Sequence, residues 1–305
     1  MSSAASDVYK RQGEEGSFEG IKGAKNTKLE GKRIEAVSGK NIILTIDINI
    51  QSIAYHQLNE AIKENNAKAG SIVVIEPKTG DILGLVNYPS FDPSNRKNLK
   101  DMSKLRNRAT IDIFEPGSVL KPLAMSAILE SDYLPKTSKI DTSPGWIEYE
   151  GFKTSDFKDY GALSLSQIIS LSSNVGMVKL CQYQDIEHLT NYYKKFGIGR
   201  YPTSIMLPAR EGFLPHSSQF TLRDKVSSCY GYGITLSALQ IAQAYSVFAN
   251  EGNFIELNLF KDHSFDEPLH EKVLQKETND IVLDMLVETV NSSNGTASKA
   301  RLQEK

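Results

Sequence analysis

Residues 115–131 read EPGSVLKPLAMSAILES, and where a helix begins in this stretch decides how the whole chain is read. Leu120, Leu123, Ala124, Ala127 and Ile128 recur at helical spacing. Pro116 and Gly117 precede the run, and Pro122 lies inside it. Proline is tolerated in the first turn of a helix, where its missing N–H removes no ladder bond. The helix is therefore expected to start at Gly117 or Ser118. Such a start places Ser118 beside unpaired backbone amides and a partial positive charge. That environment stabilises an oxyanion. Lys121, three residues on, lies on the same face and within reach of Ser118 Oγ. Its apolar neighbours should desolvate it, lower its pKa and make the neutral amine accessible as a general base. The plainer reading is a helix-capping serine and a snorkelling lysine.

The Ser-x-x-K pattern occurs three times, at Ser94/Lys97, Ser118/Lys121 and Ser155/Lys158. Ser94 sits in a polar loop and Ser155 among charged residues, so only Ser118 opens an apolar helix. A second group lies downstream in LSSNVGMVKL. There Ser172 and Asn174 fall where two helical pieces break. A hydroxyl and an amide at that break suit proton shuttling and the holding of a carbonyl. A local helix cap is again the plainer reading. The Ser-Ser-Asn at residues 292–294 has no apolar framing and reads as loop.

Upstream, SIVVIEP and DILGLVNY are short apolar runs flanking Lys78-Thr79-Gly80. Pro77 and Gly80 supply turn chemistry, so this is expected to be a hairpin turn and not a reactive Lys-Thr-Gly motif. NIILTID, residues 41–47, is expected to be a strand. A helix should follow from Ile48, with Gly70 as a plausible terminator. Thr235 is a candidate cap for the helix in TLSALQIAQAYSVFANEG. A last helix is expected roughly from Thr278 to Val290. The mixture of few strands and many helices indicates an α+β fold.

Composition excludes several classes. Net charge is −2, which offers nothing polybasic for nucleic acid or anionic lipid. No apolar run is long enough to span a membrane, and no signal peptide is visible. The histidines are scattered and carry no metal-ligand spacing; neither metal nor cofactor is expected. Cys181 and Cys229 sit in apolar helical contexts and read as two buried thiols, with nothing supporting a disulfide between them. Residues 1–12, MSSAASDVYKRQ, read as a non-native scar. Residues 13–40 are rich in Gly, Lys and Glu and read as a linker or the tail of another domain.

Together RATIDIFEPGSVLKPLAMSAIL, LSSNVGMVKL and GYGITLSALQIAQAYSVFAN resemble the transpeptidase domain of class B penicillin-binding proteins. GSIVVIEPKTGDILGLVNYPSFDP resembles the strand hairpin that precedes the nucleophile there. Residues 13–40 resemble the last part of the family's pedestal domain, leaving 41–305 as the transpeptidase domain. Asn174 resembles the division-specific (FtsI-type) branch. The resemblance implies the fold shared with serine β-lactamases: a mostly antiparallel sheet flanked by helices, plus a helical subdomain. It implies that Ser118 is the acylated nucleophile and Lys121 its base, with Ser172 and Asn174 as the second motif. The implied reaction is attack on a D-Ala-D-Ala bond of a peptidoglycan stem peptide, with β-lactams as alternative acylating agents. An inner-membrane anchor outside these residues, a periplasmic catalytic domain and division-site membrane partners are implied in the same way.

One departure stands out. The family's third motif, Lys-Thr-Gly on a late strand, does not occur after Asn174; Lys195-Phe196-Gly197 is the nearest approach. The domain is therefore expected to lack its later strands and the chain by itself to be inactive. A penicillin-sensing receptor or serine β-lactamase is the alternative of the same fold. A non-catalytic interaction module is the alternative of another class.

Overall fold

The computed structural model describes residues 13–22, 28–39, 41–92, 94, 101–131, 133–202, 207–261 and 270–302. Residues 1–12, the expected scar, and Lys97 lie outside them. The chain divides into two compact units, residues 1–44 with 260–266 and residues 45–259 with 267–305.

In the first unit, β1 (Ser17–Lys22) and β2 (Lys28–Ile34) pair antiparallel, from Ser17↔Ile34 inward. A single Glu14↔Val37 bridge extends the pair. The strand expected at residues 41–47 does not form. Leu44 makes one isolated bridge to Phe260, and Ile42, Ile43 and Leu44 stay exposed. Thr45 N donates to Leu259 O at 3.0 Å and Lys261 N to Ile43 O at 2.9 Å, so the pairing is one bridge long and leaves the apolar side chains uncovered.

The second unit begins with α1 (Ile48–Glu64), capped by Asp47, whose carboxylate accepts from the amides of Asn49 and Ile50. Its buried Ala54, Leu58 and Ile62 recur every four residues and pack with Val86, Ile72 and Tyr88. Gly70 is not its terminator. Asn65 caps the end and Asn66 takes φ 48°, a left-handed conformation that asparagine tolerates. Gly70 instead opens β3 (Gly70–Ile75), which pairs antiparallel with β4 (Ile82–Tyr88). Lys78-Thr79-Gly80 is the turn between them, as expected. Gly80 takes φ 74°, and its N–H reaches Glu76 O at 2.9 Å.

Next come α2 (Arg108–Ile111), β5 (Ile113–Phe114), a 3₁₀ turn at Gly117–Leu120 and α3 (Lys121–Leu129). All nine residues of α3 are buried. A helix buried all round belongs at the centre of a core. Two small hairpin-like pairs follow: β6 (Lys139–Asp141) with a later strand, and β7 (Trp146–Tyr149) with β8 (Phe152–Ser155). The partner of β6 is β9 (Ala162–Ser164). The expected helical break is present: α4 (Leu165–Ser170) and α5 (Asn174–Cys181) flank Ser172. Then come α6 (Ile186–Lys195), α7 (Leu222–Ser228), β10 (Leu236–Ser237) and α8 (Ala238–Ala249). β11 (Asn253–Ile255), β12 (His270–Lys272) and α9 (Lys276–Asn291) complete the described elements.

The cap of α8 is Ser237, not Thr235. Ser237 Oγ accepts from Gln240 N, and the Gln240 side chain returns to Ser237 N, a reciprocal box that Thr235 is placed too early to make. One core joins α3 through α9, with Met125, Ile168, Met177, Leu180 and Val247 all fully buried. The two cysteines do not remain thiols. Cys181 ends α5, Cys229 caps α7, and the two are joined in a disulfide with Cα atoms 6.5 Å apart. Both are fully buried as expected, but packing of α5 on α7 brings them within bonding range.

The fold is the α+β arrangement anticipated, and all pairings between the named strands are antiparallel.

Candidate active site

Ser118 is exposed on the 3₁₀ turn that leads into α3. Pro122 is the second residue of α3, inside its first turn, where the proline argument required it. The segment carrying Ser118 is strapped to the chain around Gly231. β5 pairs with β10 through Phe114↔Leu236 and Ile113↔Ser237. Glu115 accepts from Gly233 N at 2.8 Å, and Gly117 N donates to Gly231 O at 3.1 Å. On the other side, the Tyr245 hydroxyl of α8 donates to Val119 O at 2.7 Å.

Gly231 is constrained twice. Its φ is 94°, and a Cβ built on it would lie 1.9 Å from Gly117 O. Any side chain there must displace the turn that carries the serine.

Lys121 is 1% exposed. Its ammonium donates to Ser172 O at 2.6 Å, Asn174 Oδ1 at 2.7 Å and Ser172 Oγ at 3.0 Å. The three donors of a lysine are thus matched by three acceptors, all from the helix break. Ser172 takes φ 57°, a left-handed conformation uncommon for serine. Lys121 donates only, so the oxygen end of the Asn174 amide faces it. The nitrogen end donates one of its two hydrogens to Ser155 O at 3.2 Å. Burial pulls the Lys121 pKa down to about 8, while the Asp156 carboxylate nearby pulls it up.

The site therefore brings Lys121, Ser172 and Asn174 into direct contact, with Ser118 one turn away from Lys121. Among the described residues no Ser118–Lys121 hydrogen bond is formed. Lys78, Ser94 and Lys158 take no part in this contact set.

Asp156 escaped the sequence reading. It lies on the segment leaving β8, inside a Ser-x-x-K match set aside as a charged stretch. Its carboxylate accepts from Ser173 Oγ at 2.6 Å and from the amides of Asn174 at 2.5 Å and Val175 at 3.0 Å. An anion at the first turn of α5 satisfies orphan amides and matches the helix dipole. The far end of α5 is held by α7. The ammonium of Lys225 donates to Gln182 O and Gln184 O, both at 2.9 Å, and the disulfide lies beside it. α7 leads directly into Gly231, so one element braces both the Ser172–Asn174 break and the Ser118 turn. The sequence reading, which took the cysteines as separate thiols, did not anticipate this bracket.

Residues 70–305 match the family model described as penicillin binding protein transpeptidase domain. The peptidoglycan D,D-transpeptidase FtsI of Buchnera aphidicola subsp. Schizaphis graminum (strain Sg) is 35% identical over 240 residues, 78% of this chain and 41% of that protein. The protein of the same name from Escherichia coli (strain K12) is 30% identical over 237 residues, 76% of this chain and 40% of its own. Among solved structures, the apo transpeptidase domain of Burkholderia pseudomallei penicillin-binding protein 3 is similar, with a TM-score of 0.76 at 32% identity. That match covers 85% of this chain and 73% of the other. The chain spans about 40% of the length of these two curated relatives. The buried lysine, its helix-break acceptors and the match over residues 70–305 converge: this chain belongs to the penicillin-binding-protein transpeptidase family.

Proposed function

We propose that this chain carries the acylation machinery of a peptidoglycan D,D-transpeptidase. The observation that carries the reading is Lys121: fully buried, held by three acceptors and shifted to about 8. Burial brings the neutral amine within reach near pH 8, against the pull of the three acceptors and Asp156 on the ammonium. Once neutral it has two N–H groups and a lone pair. The Ser172 hydroxyl then reverses its role and donates to Nζ, which leaves Ser172 O and Asn174 Oδ1 as the two acceptors. Lys121, directly or through Ser172, takes the proton of Ser118 as Oγ attacks the carbonyl of a D-Ala-D-Ala bond. The proton passes to the departing D-Ala amine. The acyl group on Ser118 is then transferred to an amine of a neighbouring stem peptide. A β-lactam follows the first step and stops at the acyl-enzyme.

The relatives' printed name, peptidoglycan D,D-transpeptidase FtsI, supports the same reading, and Asn174 is the residue on which we propose its division-specific form, septal cell-wall synthesis with division-site membrane partners. The disulfide supports an oxidising, extracytoplasmic setting, consistent with a periplasmic domain of an inner-membrane protein. Among the described residues no helix is long and apolar enough to cross a membrane. We assign residues 41–305 to the transpeptidase domain and 13–40 to the end of the pedestal domain. No Lys-Thr-Gly follows Asn174 in these 305 residues, and Lys78-Thr79-Gly80 is a turn. The chain alone is therefore proposed to be incompetent for turnover.

Intact-mass spectrometry after exposure to benzylpenicillin tests this. A longer form that includes a Lys-Thr-Gly strand should gain one adduct, and Ser118→Ala should abolish it. An adduct on the 305-residue chain would overturn the incompetence. No adduct on any folded form would overturn the function. Rapid release of hydrolysed drug would favour a β-lactamase.

A further inference from the structure

The reacting pair is held from two directions. Ser118 rides on a turn whose Gly117 N donates to Gly231 O at 3.1 Å. The acceptors of Lys121 come from the break that opens α5. Acylation needs the two in register.

The Cys181–Cys229 bond joins these two supports. Cys181 is the last residue of α5, two turns from Asn174, or about 10 Å along the axis. α5 acts as a stiff lever over that length. Val175, Met177, Val178 and Leu180 are buried, and a Cβ on Gly176 would lie 2.7 Å from Ile168 Cγ1 of α4. Cys229 caps α7 and stands two residues before Gly231. The stretch between is pinned by its own bonds. Tyr230 N and Tyr232 N donate to Ser227 O at 3.2 and 3.1 Å, and Gly231 N donates to Ser228 O at 3.2 Å. From sulfur to the Ser118 turn the path is one tight turn and one hydrogen bond.

Where α5 begins, the supports meet across solvent. A cavity of about 480 Å³ is lined by Asn174 and by Val226 and Ser227 of α7. The far end of α5 is tied to α7 by the disulfide and by the Lys225 bonds to Gln182 O and Gln184 O. An ammonium on a flexible stem follows a sliding helix, whereas a covalent bond of fixed geometry does not. A disulfide ordinarily stabilises a fold by restricting the unfolded chain. This one also spans the two supports of the site.

We propose that Cys181 and Cys229 are positioning residues for acylation: their bond sets the Ser118 turn against the Ser172–Asn174 break, and with it the rate at which a bound ligand acylates Ser118. The inference rests on the function proposed above.

The test separates acylation from the binding that precedes it. Cys181→Ala with Cys229→Ala removes the bond and leaves no thiol. In the form that acylates, the first-order constant at saturating benzylpenicillin should fall at least about tenfold, while the half-saturating concentration changes less than about twofold. Circular dichroism fixes the folded fraction to which both constants are referred. Cys181→Val with Cys229→Ala, which restores lost volume, should show the same loss. An unchanged acylation constant in either folded variant would overturn the proposal. So would failure of both variants to fold, because the bond would then be holding the whole fold and not the site. A second readout does not need acylation. Without the bond, hydrogen exchange should quicken at least about fivefold at residues 172–178 and 115–120 and stay unchanged at residues 76–84 of the β3–β4 hairpin. A change confined to peptides holding positions 181 and 229 would overturn the bracket. If benzylpenicillin acylates no form while both distant segments respond, the function fails and the bracket stands.

Discussion

Lys78 and Lys121 each belong to a signature of serine acylation, and their surroundings are opposites. Lys121 is 1% exposed, and its ammonium meets three oxygens from a helix break 51 to 53 residues away. Lys78 is exposed, and the bonds around it are those of a turn. Its amide reaches Glu76 Oε1 at 3.3 Å, and the Thr79 hydroxyl is engaged by Asp81 N at 3.3 Å. The threonine that would serve a substrate is holding the hairpin. The reactive lysine is therefore distinguished by desolvation and by its acceptors, neither of which the three letters of a motif contain.

The comparison breaks most easily at the lysines themselves. In a form that acylates, Lys121→Ala should slow penicillin acylation roughly 1,000-fold, within the range of general-base removal. Lys78→Ala should change it less than about twofold. Stopped-flow acylation measures both, and comparable losses would erase the distinction. The next effect separates close approach from backbone strain. Gly231→Ala forces the Ser118 turn to move and should cost about 100-fold in acylation. Gly233→Ala has a similar φ of 75° but nothing within 4 Å of the added carbon. It should lower stability by about 1–2 kcal/mol, seen in thermal melts, with much the smaller kinetic effect.

The smallest effect sharpens the account of Lys121. Its pKa of about 8 predicts acylation that rises about tenfold per pH unit well below 8 and levels above it. Asp156 raises that pKa, so Asp156→Asn should move the inflection downward. An upward shift would mean that the lost bonds at α5 loosen the burial of Lys121. The same shift has a stability consequence. The folded pKa lies below the ordinary 10.5, so the unfolded chain holds more protons between about 8 and 10.5. Stability therefore rises with pH across that window, and urea denaturation of Lys121→Met should lack that contribution.

Much of this site was legible before folding, for local reasons. Pro122 fixed where α3 begins, and the apolar run around Lys121 announced its burial. The break at Ser172 announced an irregular backbone between two helices. What could not be read was brought from afar. Asp156 arrives on a hairpin exit 17 to 19 residues from its partners. Gly231 matters because a distant carbonyl passes close to it. The cysteines are 48 residues apart on separate helices, and only the packing of those helices makes a bond of them. The failed strand at residues 41–47 makes the converse point. Its composition was right and residues 259–261 lie beside it, but the pairing is confined to one bridge and its flanking bonds, and composition does not say how far a pairing will run.

The contact between Gly231 and Gly117 also bears on inheritance. Under exposure to a drug that acylates Ser118, a lineage gains by substitutions that slow the drug more than the natural substrate. Position 231 offers no such route. The smallest added group shifts the serine itself, which both reactions share.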